Sequence, residues 1–254
     1  MRDLITASGM VLSAMPVGEY DKRVVLLTKQ LGRITAFARG SRRQNSPLLA
    51  STRPFTFGIF SLFPGRSSYT LQNAEITEYF EEMGTDLEAV SYGCYFAEVA
   101  EYYTRENVDE SQMLNLLYVS LKALLKDSIP NPLVRRIYEM RAMVINGEYP
   151  QVFQCMKCGK ELTSGLYLPR AAGMTCMDCA EQAGNGILVH EAALYALQYV
   201  ASAPLQKLYR FTLKPEAFSE MERVVKSGVS SFIDKNFRSL KVLETLQNDK
   251  NPVK

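Results

Sequence analysis

The stretch KRVVLLTKQLGRITAFARG, residues 22–40, contains two short apolar runs separated by the turn-like sequence QLGR. Short runs rich in β-branched and aromatic residues, cut by Gly and Pro, are typical of β-strands. The segments GMVLSAMPVGE, residues 9–19, and RPFTFGIFSLFPGRSSYTLQNAEI, residues 53–76, have the same character, and FPGR forms a second turn signal. Together these segments predict five strands, near residues 5–17, 22–29, 32–40, 53–63 and 67–77.

Five strands in about 80 residues fit a small closed barrel. We predict an OB-type barrel over residues 1–80, because that barrel uses five strands and its open face commonly binds oligonucleotides. An SH3-like barrel is the alternative. At 254 residues the chain is long enough for two domains, at the usual size of about 150 residues each.

The second half of the chain has helical periodicity. In QMLNLLYVSLKALL, apolar residues recur three and four positions apart, as on the buried face of a helix. The other helical stretches are PLVRRIYEMRAMVIN, HEAALYALQYVAS, EAFSEMERVVKSGVSSFI and SLKVLETL. We therefore predict an α+β protein, in which a mainly β N-terminal OB-type barrel is followed by an all-α helical domain over residues 81–254.

Four of the five cysteines form two Cys-x-x-Cys pairs, Cys155/Cys158 and Cys176/Cys179, separated by seventeen residues. A redox pair, two disulfides and one metal site are the three interpretations. A redox pair is disfavoured because no thioredoxin-like βαβ pattern surrounds the cysteines. Two disulfides are disfavoured because we expect a reducing cytoplasmic location. The spacing matches a four-cysteine site, so we predict one structural Zn²⁺ held by these cysteines in an inserted zinc-finger segment, residues 150–184. The fifth cysteine, Cys94, has helical spacing and is expected in the core.

Catalysis has little support in the sequence. Four thiolates fill a tetrahedral zinc site, whereas a zinc hydrolase needs an open position. Neither GxxxxGK[ST] nor GxSxG occurs, and the only histidine, His190, opens a predicted helix. No run of about 18 apolar residues indicates a membrane span. We expect a binding protein that is neither an enzyme nor a membrane protein.

The net charge of +2 conceals an uneven distribution along the chain. Residues 1–80 contain ten Lys and Arg against five Asp and Glu, whereas residues 81–254 contain nineteen against twenty-two. A basic barrel attracts polyanions, and arginines can bind successive phosphates without reading sequence. We predict that nucleic acid binds the basic residues of this domain, and the alternative is a solvated loop. The predicted DNA-binding residues are Lys22, Arg23, Arg33, Arg39, Arg42 and Arg43.

The order of these features resembles one bacterial family. The opening GMVLSAMPVGEYDKRVVLLTKQLGRITAFARGSRR and the later RPF strand resemble the N-terminal OB domain of the recombination mediator family RecO. RRIYEMRAMVINGEYPQVFQCMKCG, GMTCMDC and FRSLKVL resemble segments of that family's second half. The resemblance covers nearly the whole chain, and no motif in it is catalytic.

The resemblance implies a DNA repair and recombination mediator that binds single- and double-stranded DNA and anneals complementary strands. It implies RecR as a partner, and RecA as an indirect one that is loaded onto strands covered by single-stranded-DNA-binding protein. A cytoplasmic, nucleoid-associated location follows. The runner-up is a zinc-ribbon protein of the ribosome or of transcription that binds structured RNA.

The family resemblance also places a site for the acidic, apolar-ended tail of the single-stranded-DNA-binding protein in the helical domain. In PLVRRIYEMRAMVIN, apolar residues share a stripe with one arginine while two more arginines flank it, as a basic-rimmed apolar groove requires. The predicted tail-pocket residues are Arg135, Arg136, Tyr138 and Arg141. The alternative is an ordinary helix in which Arg135 pairs with Glu139.

Overall fold

The structure is a computed structural model. It describes residues 3–250, with side chains through residue 246. Contacts group the described chain into two compact units. Unit 1 is the part through Leu121 together with the part from Phe237 onward, and unit 2 is Lys122–Asn236. The expected division at residues 80 and 81 stays a prediction.

Unit 1 begins with five strands that close into a barrel in the order β1-β2-β3-β5-β4. Adjacent strands are antiparallel except β3 and β5, which are parallel. This arrangement confirms the predicted five-stranded OB-type barrel. The strands are β1 (Ile5–Val17), β2 (Asp21–Thr28), β3 (Gly32–Ala38), β4 (Phe57–Pro64) and β5 (Tyr69–Glu78).

The barrel is filled by alternating inward-facing side chains, as the period-2 pattern of the sequence requires. In β3 the residues Ile34, Ala36 and Ala38 are buried, while the residues between them are partly exposed. A short helix, α1 (Leu48–Ser51), adds Leu48 to the same core. The helix explains why the fourth strand begins at Phe57, later than the sequence predicts.

Three longer helices complete unit 1, namely α2 (Leu87–Tyr103), most of α3 (Ser111–Leu124) and α8 (Arg238–Lys250). Asp86 caps α2 by accepting from the N–H groups of Glu88 and Ala89. The backbone N–H and hydroxyl of Ser239 both donate to Glu98 of α2. These bonds dock the C-terminal helix against α2, far from it in sequence.

The prediction that Cys94 lies in the core is wrong. Cys94 is exposed, and Leu87, one of the apolar residues with which it shares helical spacing, is 66% exposed. Aromatic residues occupy the buried face of α2 instead, because they remove more apolar surface from water. The large buried side chains of α2 are Tyr92, Tyr95, Phe96 and Val99.

Unit 2 is built from three helices and a small sheet. The helices are α4 (Asn131–Ile145), α6 (Glu191–Ser202) and α7 (Pro215–Phe232). Helix α7 approaches the start of the cysteine segment so closely that a Cβ on Gly228 would lie 2.8 Å from Cγ of Pro150. The helices confirm the predicted helical domain. Within the described residues, no helix is long and apolar enough to cross a membrane.

The segment that carries the cysteines has regular structure that the sequence did not predict. It contains strands β6 (Gly165–Leu168), β7 (Gly173–Thr175) and β8 (Ile187–Val189) and the one-turn helix α5 (Met177–Ala180). The strands form an antiparallel sheet in the order β7-β6-β8. These strands are too short to produce a readable alternation of polar and apolar residues.

We predict that Gly32→Ala destabilises the protein more than Gly18→Ala. Both glycines have positive φ, +66° and +59°, which costs about 1 kcal/mol for another residue. At Gly32 the added Cβ would also lie 2.0 Å from the carbonyl oxygen of Arg105. At Gly18 no atom lies within 4 Å of the added Cβ. Urea denaturation measures the free energy of unfolding of both variants. We expect Gly32→Ala to lose about 2 kcal/mol or more beyond the loss in Gly18→Ala. Equal losses in the two variants would contradict the close approach.

Candidate nucleic-acid interface and metal site

The loop after β3 lies against the turn between β1 and β2. The backbone N–H of Arg42 donates to the Tyr20 carbonyl at 2.8 Å, and its Nη1 donates to the carbonyl oxygens of Gly18 and Glu19 at 3.2 and 3.0 Å. The N–H of Gly40 donates to Asp21 at 2.7 Å. These bonds hold an arginine-rich loop in a defined position on the barrel.

The same loop brings several cations together. The Arg43 guanidinium lies over the Tyr20 ring, 5.1 Å from its centroid, as in a cation–π contact. Burial lowers the pKa of Lys22, and the nearby charges of Arg53 and Arg42 lower it further. A bound phosphate would offset this repulsion. We call Lys22, Arg42, Arg43 and Arg53 the basic patch.

The other predicted DNA-binding residues have different positions. Arg23 and Arg39 are exposed, and Arg23 lies on β2 with Nη2 3.8 Å from Sδ of Met15. Arg33 pairs with Leu27 at the opposite end of the β2–β3 ladder from Lys22, which pairs with Ala38. The Arg33 guanidinium donates to the Glu101 carbonyl. Arg33 is therefore not brought to the basic patch.

Sequence reasoning left two members of this surface out of the predicted site. Arg53 follows α1, ten residues beyond Arg43, and joins the patch through the fold. Tyr20 supplies the ring beneath Arg43. An aromatic residue in the charged turn GEYDK, next to Lys22 and Arg23, was the available signal for Tyr20.

The predicted tail-pocket arginines of α4 are engaged in buried ion pairs. Nε of Arg135 lies 2.8 Å from Glu139, and Nη1 of Arg136 lies 2.6 Å from the other oxygen of the same carboxylate. Arg136 also pairs with Glu222 of α7 at 2.9 Å. These contacts agree with the alternative of a locally paired helix. A tail peptide reaches these arginines only by displacing the two carboxylates.

The remaining two residues of that predicted pocket serve packing and capping. Tyr138 is fully buried. Arg141 donates from Nη1 to the carbonyl oxygens of Val200 and Ala201, at 3.1 and 2.5 Å, in the last turn of α6. A cation there satisfies carbonyls that have no partner within the helix. The tail pocket at this helix stays a prediction.

The four cysteines of the two pairs converge. Their Sγ atoms all lie within 4.8 Å of one another, and Sγ of Cys158 is 3.8 Å from Sγ of Cys176. Sulfurs bound to one zinc ion at about 2.3 Å in a tetrahedron are separated by about 3.8 Å. None of the cysteines in the described residues is in a disulfide. The thiols therefore fit one tetrahedral metal ion, with Cys155, Cys158, Cys176 and Cys179 as its ligands.

Local backbone structure positions each pair. Between the first two cysteines the chain turns tightly, so that the N–H of Gly159, at φ +74°, donates to the Cys155 carbonyl at 2.9 Å. Cys176 follows β7 and begins α5, whose single turn carries Cys179. Lys160 and Asp178 pair across the two turns at 3.6 Å, but both are exposed and the pair contributes little.

The environment of the cluster favours negative charge on Cys155 and opposes a further charge on Cys179. Burial raises the pKa of Cys155, but N–H groups of Cys158, Cys176 and Lys157 and the Cys158 thiol donate to it and lower that pKa to about 6. A hydrogen bond with Cys176, burial and the neighbouring Cys158 and Cys155 raise the pKa of Cys179 to about 12. Further thiolates accumulate only with a compensating cation, which suits the cluster to a metal ion.

His190 precedes α6 and contacts α7 rather than any of the cysteines. Its Nδ1 lies 2.5 Å from one Glu220 oxygen, and its backbone N–H donates to the other at 2.7 Å. The glutamate thus ties the start of α6 to α7. This contact gives His190 a structural role at the start of α6.

Comparisons with known proteins agree along nearly the whole chain. The family model described as "Recombination protein O N terminal" matches residues 1–80, and "Recombination protein O C terminal" matches residues 84–241. The chain is 29% identical to a DNA repair protein RecO of Alkaliphilus metalliredigens, over 96% of this chain and 100% of that protein. It is 29% identical to a DNA repair protein RecO of Acetivibrio thermocellus, over 97% of this chain and 98% of that protein.

We predict that Cys176→Ser lowers the metal content of the purified protein, because one of four sulfur ligands is lost. Metal analysis of wild type should give about one equivalent per chain, and that metal should leave as acid protonates the thiolates. Cys94→Ser is the matched control, since Cys94 is exposed and belongs to the other unit. Equal metal content in Cys176→Ser and wild type would argue against the site.

A second variant tests the buried ion pairs. We predict that Glu139→Ala destabilises the protein by about 3–5 kcal/mol, because it leaves two buried guanidinium groups without this partner. Lys226→Met is the control: it removes the 3.3 Å pair with Glu222, in which the lysine is 56% exposed, and should cost at most about 1 kcal/mol. Chemical denaturation measures the free energy of unfolding of both variants. Similar losses in Glu139→Ala and Lys226→Met would show that burial of an ion pair does not determine its contribution to stability.

Proposed function

The chain belongs to the recombination protein O family of DNA repair proteins, and we propose that it binds single- and double-stranded DNA through its barrel and anneals complementary strands. The observation that carries this proposal is the basic patch. Its four cations lie on a fold whose surface commonly binds oligonucleotides. An anionic ligand would offset the charges of Arg53 and Arg42 near Lys22.

Annealing through this patch needs no covalent chemistry. Lysine and arginine side chains that neutralise phosphates release condensed counterions, so binding weakens steeply with salt. Two strands whose phosphates are partly neutralised repel each other less, and complementary bases can then pair. Arg42 is positioned for this role, because two backbone carbonyls hold its guanidinium at the edge of the barrel.

We propose that the metal ion is zinc and that its role is structural. Four thiolates complete a tetrahedron and leave no position for water or substrate. The ion, when bound, joins the turn at Cys155 to the helix that begins after Cys176, so it stabilises a segment whose strands are very short. DNA binding by the barrel would then be independent of the metal chemistry.

The family supports further proposals about partners. We propose that the protein acts with RecR to help load RecA onto DNA covered by single-stranded-DNA-binding protein, and that it contacts the acidic tail of the latter through its helical domain. It would act in the cytoplasm, associated with the nucleoid. Binding of structured RNA through the same barrel is the second candidate, because phosphate contacts do not distinguish RNA from DNA.

We predict that replacing Arg42, Arg43 and Arg53 together with Ala slows annealing of complementary oligonucleotides and weakens DNA binding regardless of sequence. The slope of log affinity against log salt should become shallower by up to about 0.7 per lost phosphate contact on single strands and about 0.9 on duplexes. A fluorescence annealing assay and a salt titration measure these effects.

The control replaces Arg170, Arg223 and Arg238 with Ala, which changes the net charge equally at three exposed positions that do not belong to the patch. It should anneal as wild type does. If wild type does not speed annealing yet binds a structured RNA hairpin tightly, the RNA-binding function replaces this one. If both triple variants lose DNA binding equally, the interaction depends on net charge and not on the patch.

A further inference from the structure

Unit 2 has an open groove of about 420 Å³ between α6 and the segment that leads into α7. Its lining includes Tyr195 and Tyr199 of α6 and Arg210, Phe211 and Leu213 of the segment that leads into α7. This groove is separate from the cysteine site and from the arginines of α4. None of the functions proposed above uses it.

Aromatic rings form a short ladder in the groove. The Tyr195 and Tyr199 rings are stacked, with centroids 6.4 Å apart and planes 28° apart, and Phe211 meets Tyr199 edge-on at 5.5 Å. The Tyr199 hydroxyl donates to the Lys207 carbonyl at 2.9 Å, which fixes that ring. Tyr195 is 67% exposed, the most exposed of the large apolar and aromatic side chains described. The ladder therefore ends in a ring that is open to solvent.

The segment that follows the ladder is basic, although Glu191, one helical turn before Tyr195, is acidic. Between Glu191 and Glu216 the chain contains no acidic residue but has Lys207, Arg210 and Lys214, all exposed. The C-terminal part of the chain from residue 81 is acidic overall, with nineteen basic against twenty-two acidic residues. Three exposed cations therefore belong to the stretch of chain that carries these rings, and one of them, Arg210, lines the groove.

Open aromatic faces beside repeated cations suit single-stranded nucleic acid, whose bases stack on the rings while phosphates bind the cations. We propose that this groove is a second site for single-stranded DNA, in which an unpaired base stacks on Tyr195 and the backbone contacts Arg210 and its neighbouring lysines. The proposal rests on the proposed DNA binding and annealing. It adds one strand-binding site in unit 2 to the basic patch in unit 1.

Single strands fit better than two other ligands. In a duplex the faces of the bases are covered by their neighbours, so Tyr195 would have nothing to stack on. An acidic peptide would use the cations but has no series of flat rings to extend the ladder. The stacked geometry of Tyr195 on Tyr199 thus selects unpaired bases.

The test uses the full chain with Tyr195→Ala and, as its control, Tyr195→Phe, which keeps the ring. Tyr195→Ala should weaken binding of an oligo-dT strand about fivefold or more and leave binding of a blunt duplex unchanged, while Tyr195→Phe binds as wild type does. Because Tyr195 is exposed, its truncation leaves the core intact. Arg210→Gln should lower the salt slope on single strands by about 0.7, whereas Arg223→Gln on α7 should not.

The same variants are made in the background that lacks Arg42, Arg43 and Arg53, so that the barrel does not mask a weaker site. The single-strand binding that remains there should fall with Tyr195→Ala. A strand that carries 5-bromodeoxyuridine should form a photo-crosslink to the tryptic peptide that contains Tyr195. Both results support the second site.

Unchanged single-strand affinity of Tyr195→Ala in both backgrounds, or crosslinks confined to the barrel, overturns the second site while DNA binding by the barrel stands. Loss of binding to an acidic, apolar-ended peptide, with DNA binding unchanged, assigns the groove to a protein partner and also overturns the inference. If wild type binds no DNA at all, the proposed function itself fails.

Discussion

The parallel pairing of β3 with β5, through Ala36 with Tyr69 and Phe37 with Thr70, closes the barrel. Without this short ladder the sheet would have two open edges, and a closed barrel is the arrangement that removes them. The chain leaves the closed barrel at Ala38, the end of β3, and the arginine-rich loop follows directly. The arginine-rich loop therefore leaves the barrel at the end of β3 that this ladder closes, and hydrogen bonds to the turn between β1 and β2 hold it there.

The arginines of the two units have opposite environments, exposed in unit 1 and buried in ion pairs in unit 2. In unit 1, backbone carbonyls and the Tyr20 ring position Arg42 and Arg43 while leaving them exposed. In unit 2, Arg135 and Arg136 are buried against Glu139, and Arg136 also pairs with Glu222. Exposed, repelling cations gain from an anionic ligand, whereas satisfied buried ones do not. This contrast favours the barrel as the phosphate-binding surface.

The cysteine cluster illustrates how a small segment obtains stability without a large core. Its strands have three or four residues, and its helix α5 has four. Elements this short are marginal alone, so a shared tetrahedral ion and the buried cysteines Cys155 and Cys176 would hold them together. The groove at Tyr195 lies on a longer helix, where the backbone is rigid enough to present an exposed ring.

Local spacing in the sequence by itself determined the five strands, the helices and the two cysteine pairs, because each pattern is repeated within a few residues of the chain. Only the tertiary structure decided that Arg53 joins the basic patch, that Arg33 is drawn away to the Glu101 carbonyl, and that Arg141 caps a helix some sixty residues distant. The exposure of Tyr195 likewise depends on what packs beside α6. Such contacts join residues far apart in the chain, and the free energy that selects them comes from packing and desolvation, which sequence periodicity does not encode.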